Sequence, residues 1–470
     1  MSDRELSPLE PDAAELRRQL DRCVSFVVEH LSSLGEQPAV DLEGVSELAA
    51  TFAEPLPESG VPLERLLERL DPAVRKSFTT AGPGYLAYVP GGGVPSAAMA
   101  DLIASAVNRF VGVSVASPAL ARIEATVVAW LAAMMGYPAG AGGILTSGGS
   151  LSNFSAVVTA RTARLPERFL DGTIYLSREA HHCLEKAARL AGFPPSSLRV
   201  IPVDGRLRMR PEALEAAVRE DRAAGKTPFL LIASSGTTNT GAVDPLPELL
   251  PIAREHGLWV HADAAYGGMF RIVPEGPSLL PGIEACDSIA LDPHKGLFLP
   301  YGTGCLLVRD PAALKAAHGS AGAYLPDSEG QGFLSAHEIS PELSRPFRGL
   351  ALWLPLMLHG VAAFRDQLRE KLELARWAYD ELMDDPHLEM IDPPQLSIVA
   401  FRFRDGFGDA DALGRELLER VNARRRVYLS GTILEGRYVL RICILSFRTH
   451  RDRVADAVTA LRDEASRLAP

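Results

Sequence analysis

The residues best suited to chemistry in this chain lie in the stretch Leu291-Asp292-Pro293-His294-Lys295-Gly296. A lysine at the end of an apolar strand points to a use for its amine. Ser288-Ile289-Ala290-Leu291 reads as that strand, from its small and β-branched residues. Upstream, Leu258-Trp259-Val260-His261-Ala262-Asp263-Ala264-Ala265-Tyr266 is another apolar run, and it ends in a carboxylate. Two parallel strands bringing Asp263 and Lys295 to one sheet edge would suit pyridoxal phosphate (PLP). The lysine forms a Schiff base with the aldehyde, and the aspartate pairs with the pyridinium nitrogen. The plainer alternative is a surface lysine and a helix-capping aspartate. The surrounding elements decide between the two.

Those elements alternate regularly. Strand-like runs fall at Thr173–Ser177, Leu198–Val203, Phe229–Ser235, Leu258–Ala262, Ser288–Leu291 and Cys305–Val308. Helix-like stretches such as Ala180–Leu190, Pro211–Arg222 and Leu246–His256 lie between them. The pattern predicts a mostly parallel sheet with helices on both faces. Ligands of such sheets sit at the carboxyl ends of the strands. Ser147, Ser235-Gly236-Thr237, Asp263 and Lys295 all stand at that end of their runs. Before them, Gly143–Thr146 reads as a strand entering the Gly-rich turn Ser147-Gly148-Gly149, with a helix from about Ser150 to Thr162. Free N–H groups and the positive end of the helix dipole suit a phosphate there. The spacings of dinucleotide and P-loop sites are absent.

The flanks differ in character. Leu16, Leu20, Val24, Val27 and Val28 recur at helical spacing within Asp12–Leu34, and a second amphipathic stretch covers Val61–Leu70. Gly35–Gly60 reads as a linker. Gly82–Gly93 holds Tyr85 and Tyr88 between glycines and prolines and reads as a shaped loop. Helices are expected at Ala97–Asn108 and Ala119–Met135, and a mobile loop at Gly319–Gly332. Helices over about Leu350–Asp384, strands at Leu396–Phe403, Val427–Leu429 and Tyr438–Ile444, and helices at Asp411–Asn422 and Arg451–Leu468 suggest a small α+β domain. The expected organisation is a helical arm (1–81), a large domain (82–350) and a small domain (351–470).

Composition narrows the class. An apolar content of 47% with 23% charged residues is that of an ordinary globular protein. No apolar run reaches the ~18 residues of a membrane span, so no membrane partner is expected. The start of the chain is polar, without a signal peptide's apolar core. A net charge of -11 argues against a nucleic-acid partner. The five cysteines are scattered, which fits reduced thiols in a cytoplasm better than disulfides or zinc.

Taken together, the chain resembles the group II PLP-dependent decarboxylases, which include aromatic-L-amino-acid, glutamate and histidine decarboxylases. The resemblance rests on Ser147-Gly148-Gly149-Ser150-Leu151-Ser152-Asn153, Ala180-His181, Gly236-Thr237-Thr238 with Gly241-Ala242-Val243-Asp244, His261–Tyr266 and Pro293-His294-Lys295. It runs over nearly the whole chain. It implies an α/β fold of type I, with a mostly parallel, seven-stranded-type sheet in the large domain, a small C-terminal domain and an N-terminal arm. It also implies a homodimer and decarboxylation of an L-amino acid to its amine.

By that resemblance Lys295 carries PLP and Asp263 keeps the ring nitrogen protonated. His181 stacks on one ring face and the Ala265 methyl on the other. Ser150, the Leu151 backbone and Ser152 hold the phosphate, Thr237 supports the ring, and His294 lies by phosphate and substrate. Tyr324, within Ala323-Tyr324-Leu325, matches the tyrosine that protonates the product. The expected substrate wall is Tyr88, Val89, Pro90, Val111 and Val113, which favours an apolar amino acid, aromatic or aliphatic. Gly296 stands where many members have Trp, suggesting a more open wall, and Asp292 where several have Asn. His182 is expected to be a core histidine. An aminotransferase or a C–C or C–S lyase would use the same Lys295 and Asp263, and Arg441 could be taken for an aminotransferase's carboxylate clamp. A PLP-binding protein without catalysis is a further alternative.

Overall fold

A computed structural model describes residues 9–319 and 335–469. Its centre is a seven-stranded sheet of β1 (Gly142–Thr146), β2 (Gly172–Ser177), β3 (Leu198–Ile201), β4 (Thr227–Ser234), β5 (Trp259–Asp263), β6 (Ser288–Leu291) and β7 (Gly304–Val308). The order across the sheet is β1-β7-β6-β5-β4-β2-β3, and only β7 runs antiparallel to its neighbours. The mostly parallel sheet expected from the alternating pattern is therefore present.

The strands read as near-continuous apolar runs because both faces are covered. Leu231, Ala233, Val260 and Ile289 enter one core cluster, while Leu230, Ile232, Trp259 and Leu306 enter another. Successive side chains alternate between the faces, so each strand feeds both cores.

A second, four-stranded antiparallel sheet has the order β10-β11-β9-β8, from β8 (Leu388–Met390), β9 (Ile398–Phe403), β10 (Ser430–Leu434) and β11 (Arg437–Cys443). The sequence reading missed β8 and put a strand at Val427–Leu429, just ahead of β10. The reason lies in the β10–β11 turn. Glu435 and Gly436 both have positive φ (48° and 81°), as a tight two-residue hairpin turn demands. Val427 and Leu429 are buried, and Tyr428 pairs instead with Tyr85 in a single parallel bridge. Leu86 is part of the core beneath this second sheet.

The 36-residue helix Arg348–Met383 connects the two layers and crosses the expected boundary at residue 350. It bends at Gly360, whose φ of 72° leaves the helical region. Buried Lys371 in its second half donates to the Thr449 carbonyl at 2.6 Å and to Glu370 at 2.9 Å. At the other end of the chain, Asp12 caps the helix Ala13–Ser33 by accepting from the Glu15 N–H at 2.8 Å. No residue of that helix is buried. Among the described residues, no helix is long and apolar enough to cross a membrane.

Candidate active site

The register of β5 and β6 builds the site. They pair in parallel with Asp263 opposite Ala290, so Asp263 ends one strand and Lys295 follows the end of the next. A short helix, Pro293–Gly296, turns Lys295 back over the sheet edge. A cavity of about 300 Å³ opens there. It is lined by Ser147–Leu151 and Asn153, His181 and Cys183, Ser234 and Gly236–Thr238, Asp263, Ala265 and Tyr266, and Asp292, His294 and Lys295.

Lys295 Nζ lies 3.0 Å from Asp292 Oδ2. Burial opposes the ammonium charge, but Asp292 and then Asp263 outweigh it and lift Lys295 above the ordinary lysine range. Asp263 is itself raised by burial, against the pull of Lys295 and of the Ala265 N–H, which it accepts at 3.3 Å. His294 donates Nδ1–H to the Thr303 carbonyl at 2.8 Å, because a carbonyl can only accept. Thr237 Oγ1 accepts from the Ala242 N–H at 3.1 Å and so braces its own turn.

His181 is held in one tautomer. Its Nδ1 accepts from the Cys183 N–H at 3.2 Å, so in the neutral ring the proton sits on Nε2. Burial, with His182 and Lys295 adding to it, lowers its pKa to about 4. His182 is exposed rather than a core residue, and its ring lies 4.2 Å from that of His181.

The glycine turn provides a cradle. Gly148 has a φ of 155° and caps the helix Gly149–Arg164. A Cβ at Gly149 would lie 3.0 Å from Asp292 Oδ2 and 3.1 Å from the Ala265 Cβ. The missing side chain therefore leaves space between those groups, beside the N–H groups of Gly149 and Ser150 at the helix start, while those of Leu151 and Ser152 donate to the Gly148 carbonyl at 3.0 and 3.1 Å. A phosphate at this helix end, an aldehyde at Lys295 and a protonated ring nitrogen at Asp263 match what the cavity offers. The residues fit PLP.

The structure places several of the expected residues away from this cavity. Ser152 does not line the cavity: its hydroxyl meets Thr146 Oγ1 at 2.8 Å and its N–H bonds the Gly148 carbonyl. Helical geometry turns it toward β1. Tyr88, Val89, Pro90, Val111 and Val113 do not line the cavity either. Tyr88 is 54% exposed, with a φ of 51°, while Val111 and Val113 are 3% exposed. The wall beside Gly296 is not open, since a Cβ there would lie 2.4 Å from Met269 Cβ. Tyr324 lies outside the described residues. The structure adds Asn153, Cys183 and Asp292 to the lining. Asn153 carried a signal as the end of the motif that starts at Ser147, and Asp292 by its place just before Pro293-His294-Lys295, whereas Cys183 carried none.

Arg441 is not a carboxylate clamp. It is 3% exposed and donates to Asn239 O, Ser430 Oγ, Tyr88 O and Thr238 O, at 3.0, 3.0, 2.9 and 2.5 Å. A buried guanidinium stripped of such partners would cost several kcal/mol, so these bonds are not free for a substrate. Among the described residues lining the cavity, none is an arginine.

Sheet, cradle and lysine define a fold type I PLP-dependent enzyme. Residues 46–404 match the pyridoxal-dependent decarboxylase conserved domain, and the chain belongs to that family. It is 34% identical to an aromatic-L-amino-acid decarboxylase of Bacillus atrophaeus, over 97% of this chain and 98% of that one. It superposes on Oryza sativa TDC, solved with PLP and tryptamine, with a TM-score of 0.93 and 29% identity, covering 99% of this chain and 100% of that one. A 4-hydroxyphenylacetaldehyde synthase of Rhodiola rosea gives a TM-score of 0.90 at 25% identity, covering 98% of this chain and 99% of that one. The protein is a PLP-dependent amino-acid decarboxylase.

Proposed function

We propose that the chain decarboxylates an aromatic L-amino acid to its amine. The observation that carries this reading is a cavity that joins Lys295 and Asp263 with no arginine among the described residues that line it. An aminotransferase must hold that carboxylate for the whole reaction. A decarboxylase gains from leaving it poorly solvated, because loss of CO2 removes the charge. The aromatic preference is supported by the relatives' names.

When bound, PLP supplies the electron sink for bond cleavage at Cα. The residues do the rest. Lys295 takes the aldehyde, and Asp263 keeps the ring nitrogen protonated. The Gly149 backbone, the Ser150 side chain and His294 would receive the phosphate, with the Leu151 N–H sharing its bond to the Gly148 carbonyl. Thr237 supports the ring edge. His181 would cover one ring face with Ala265 across from it, and its neutral ring holds a proton at Nε2 in the same cavity. Tyr324 delivers the proton to Cα, a role resting on its sequence setting.

The working unit in this proposal is a homodimer, with the partner copy completing the substrate wall. Support comes from the helix Ala13–Ser33, which exposes Leu16, Leu20, Val24, Val27 and Val28, and from exposed Met99, Leu102, Ile103 and Val107 nearer the sheet. A stripe of that kind needs cover. The setting is the cytoplasm, consistent with five free thiols, four of them buried.

The test is incubation of the PLP-loaded protein with single amino acids, scoring CO2, amine, keto acid and aldehyde. Borohydride reduction and peptide mapping accompany it. Amine and CO2 from an aromatic substrate, with the pyridoxyl group on Lys295, are expected. Keto acid as main product, or a label on another lysine, would refute the reading.

A further inference from the structure

Behind Asp263 runs a chain of buried side chains that the proposed chemistry does not use. Trp259 Nε1 meets Ser288 Oγ at 2.8 Å, and Ser288 Oγ meets His261 Nδ1 at 2.8 Å. His261 Nε2 meets Asn153 Oδ1 at 2.8 Å, and Asn153 Nδ2 meets Cys183 Sγ at 3.3 Å. Trp259 is 5% exposed, Asn153 1%, and Ser288 and His261 0%. Asn153, Cys183 and Asp263 line the same cavity.

The Asn153 end sets the direction, because its Oδ1 faces His261 Nε2 and an amide oxygen can only accept. An indole N–H can only donate, so Ser288 Oγ accepts from Trp259. With the His261 proton drawn to Nε2 by the Asn153 oxygen, Nδ1 is left to accept from the Ser288 hydroxyl. His261 is neutral, since burial holds its pKa at about 3. Its one proton is therefore on Nε2 and goes to Asn153 Oδ1. With its oxygen engaged, Asn153 turns its NH2 group to Cys183 Sγ at 3.3 Å, in the cavity that Asp263 also lines. The amide lowers the Asp263 carboxyl, as a donor does, against the larger effect of burial. The reverse order would turn the Asn153 oxygen toward a carboxylate and leave the Ser288 proton unspent. Asp263 also faces Lys295, Asp292 and Cys183.

We propose that His261 is a positioning residue for the cofactor. By fixing the orientation of Asn153 it keeps an N–H donor on Asp263, and so keeps that carboxylate ionised for the ring nitrogen. The inference rests on the reading that Asp263 pairs with that nitrogen. It assigns a role to His261, Ser288 and Trp259, none of which lines the cavity.

The test uses apoenzyme prepared by removing PLP, titrated with PLP and followed by absorbance, alongside the pH titration of the bound visible band. His261→Phe should weaken PLP binding about tenfold, the worth of one hydrogen bond to a charged group. It should also move the band's midpoint to higher pH, because a ring that loses its positive charge withdraws fewer electrons. His261→Gln, which can still donate to Asn153, should recover most of both. Ser288→Ala removes the hydroxyl that donates to His261 Nδ1 while barely changing volume, and should move both readouts the same way. It serves as the test if His261→Phe does not fold. A lower melting temperature with unchanged PLP affinity and midpoint in these variants would overturn the proposal, as would a Gln variant no better than Phe. Asp263→Asn separates the two layers. If it binds PLP like wild type, both the Asp263 reading and this proposal fall. If it loses PLP while His261→Phe and Ser288→Ala do not, only this proposal falls.

Discussion

Asp292 Oδ2 sits 3.0 Å from Lys295 Nζ, while Asp292 Oδ1 is buried without a hydrogen-bond partner among the described residues. His294 Nε2 is 3.6 Å from the same carboxylate. One aspartate thus faces the reactive amine and the glycine cradle together. Before PLP arrives, it keeps Lys295 charged. It is also the nearest acceptor for the proton that Lys295 must lose to become a nucleophile.

The pair makes a stability prediction for the apoenzyme. Asp292→Asn keeps the shape and removes the charge, and should cost about 1.5–3 kcal/mol, the range for hydrogen bonds to charged groups. The sign in pH follows from Lys295. Its folded value is raised, so its contribution is complete below the ordinary lysine value of about 10.4 and fades as pH climbs through the higher folded value. The gap between wild type and Asn should hold from pH 7 to pH 9 and shrink above about pH 10.4. Urea unfolding across that range checks it; a gap that stays constant to pH 11 would contradict the assignment.

His181 should not titrate near neutrality. Its folded pKa of about 4 lies below the ordinary histidine value, so the ring is neutral from pH 8 down to pH 5. Its depressed pKa favours folding above the ordinary value of about 6.5, and that advantage is lost as pH falls toward 4. The Cε1–H resonance of His181, followed by NMR in the apoenzyme, should move only below pH 5. A midpoint near 6.5 would mean that the ring is solvated and not packed in the cavity. His181→Phe keeps an aromatic face but no exchangeable proton. It should retain PLP while losing about 10²-fold in rate, the lower end for general acid–base catalysis.

How much of this was readable from the chain depends on what kind of interaction fixed each part. Asp263 and Lys295 were legible because each closes an apolar run, and a parallel sheet leaves only one edge for both. The Gly148-Gly149 cradle was legible because small residues at a strand-to-helix turn leave few alternatives. The substrate wall was not. Tyr88 sits in a loop whose path is set by the bonds of Arg441 and Ser430 to its backbone, from far along the chain. Cys183 joins the site only because the helix after β1 lies beside the turn after β2. Local pattern carries periodicity and turn chemistry, whereas such distant pairings leave no mark in it.

The exposed stripe of the N-terminal helix gives a prediction on assembly. Val27→Asp places a charge in the middle of Leu20, Val24 and Val28, all exposed in the single chain. In a monomer that change lies on the surface and should be nearly neutral, within about 0.5 kcal/mol. In a homodimer closed by this face it buries an unpaired charge. Sedimentation should show a dimer for wild type and a shift toward monomer for Val27→Asp, with activity falling in proportion. Equal sedimentation of the two would remove this face from the interface.

The last prediction concerns Tyr324, which lies outside the described residues and rests on its setting in Ala323-Tyr324-Leu325. After CO2 leaves, Cα holds an electron pair that needs a proton. Two fates compete. A proton gives the amine. Dioxygen can instead accept two electrons, giving aldehyde and ammonia with hydrogen peroxide. A family likeness that includes a 4-hydroxyphenylacetaldehyde synthase makes that competition worth measuring. A phenol can supply the proton, and phenylalanine keeps the ring without the O–H. Tyr324→Phe should therefore bind PLP and substrate as wild type does but form amine about 10²–10⁴-fold more slowly, the range for general acid catalysis. Part of the lost flux should appear as aldehyde, with hydrogen peroxide in equal amount. If His181 Nε2–H were the main donor, Tyr324→Phe would change little and His181→Phe would carry the loss. Amine, aldehyde and peroxide measured for both variants on one aromatic substrate decide which residue protonates Cα. An unchanged amine rate in Tyr324→Phe would remove the tyrosine from the mechanism.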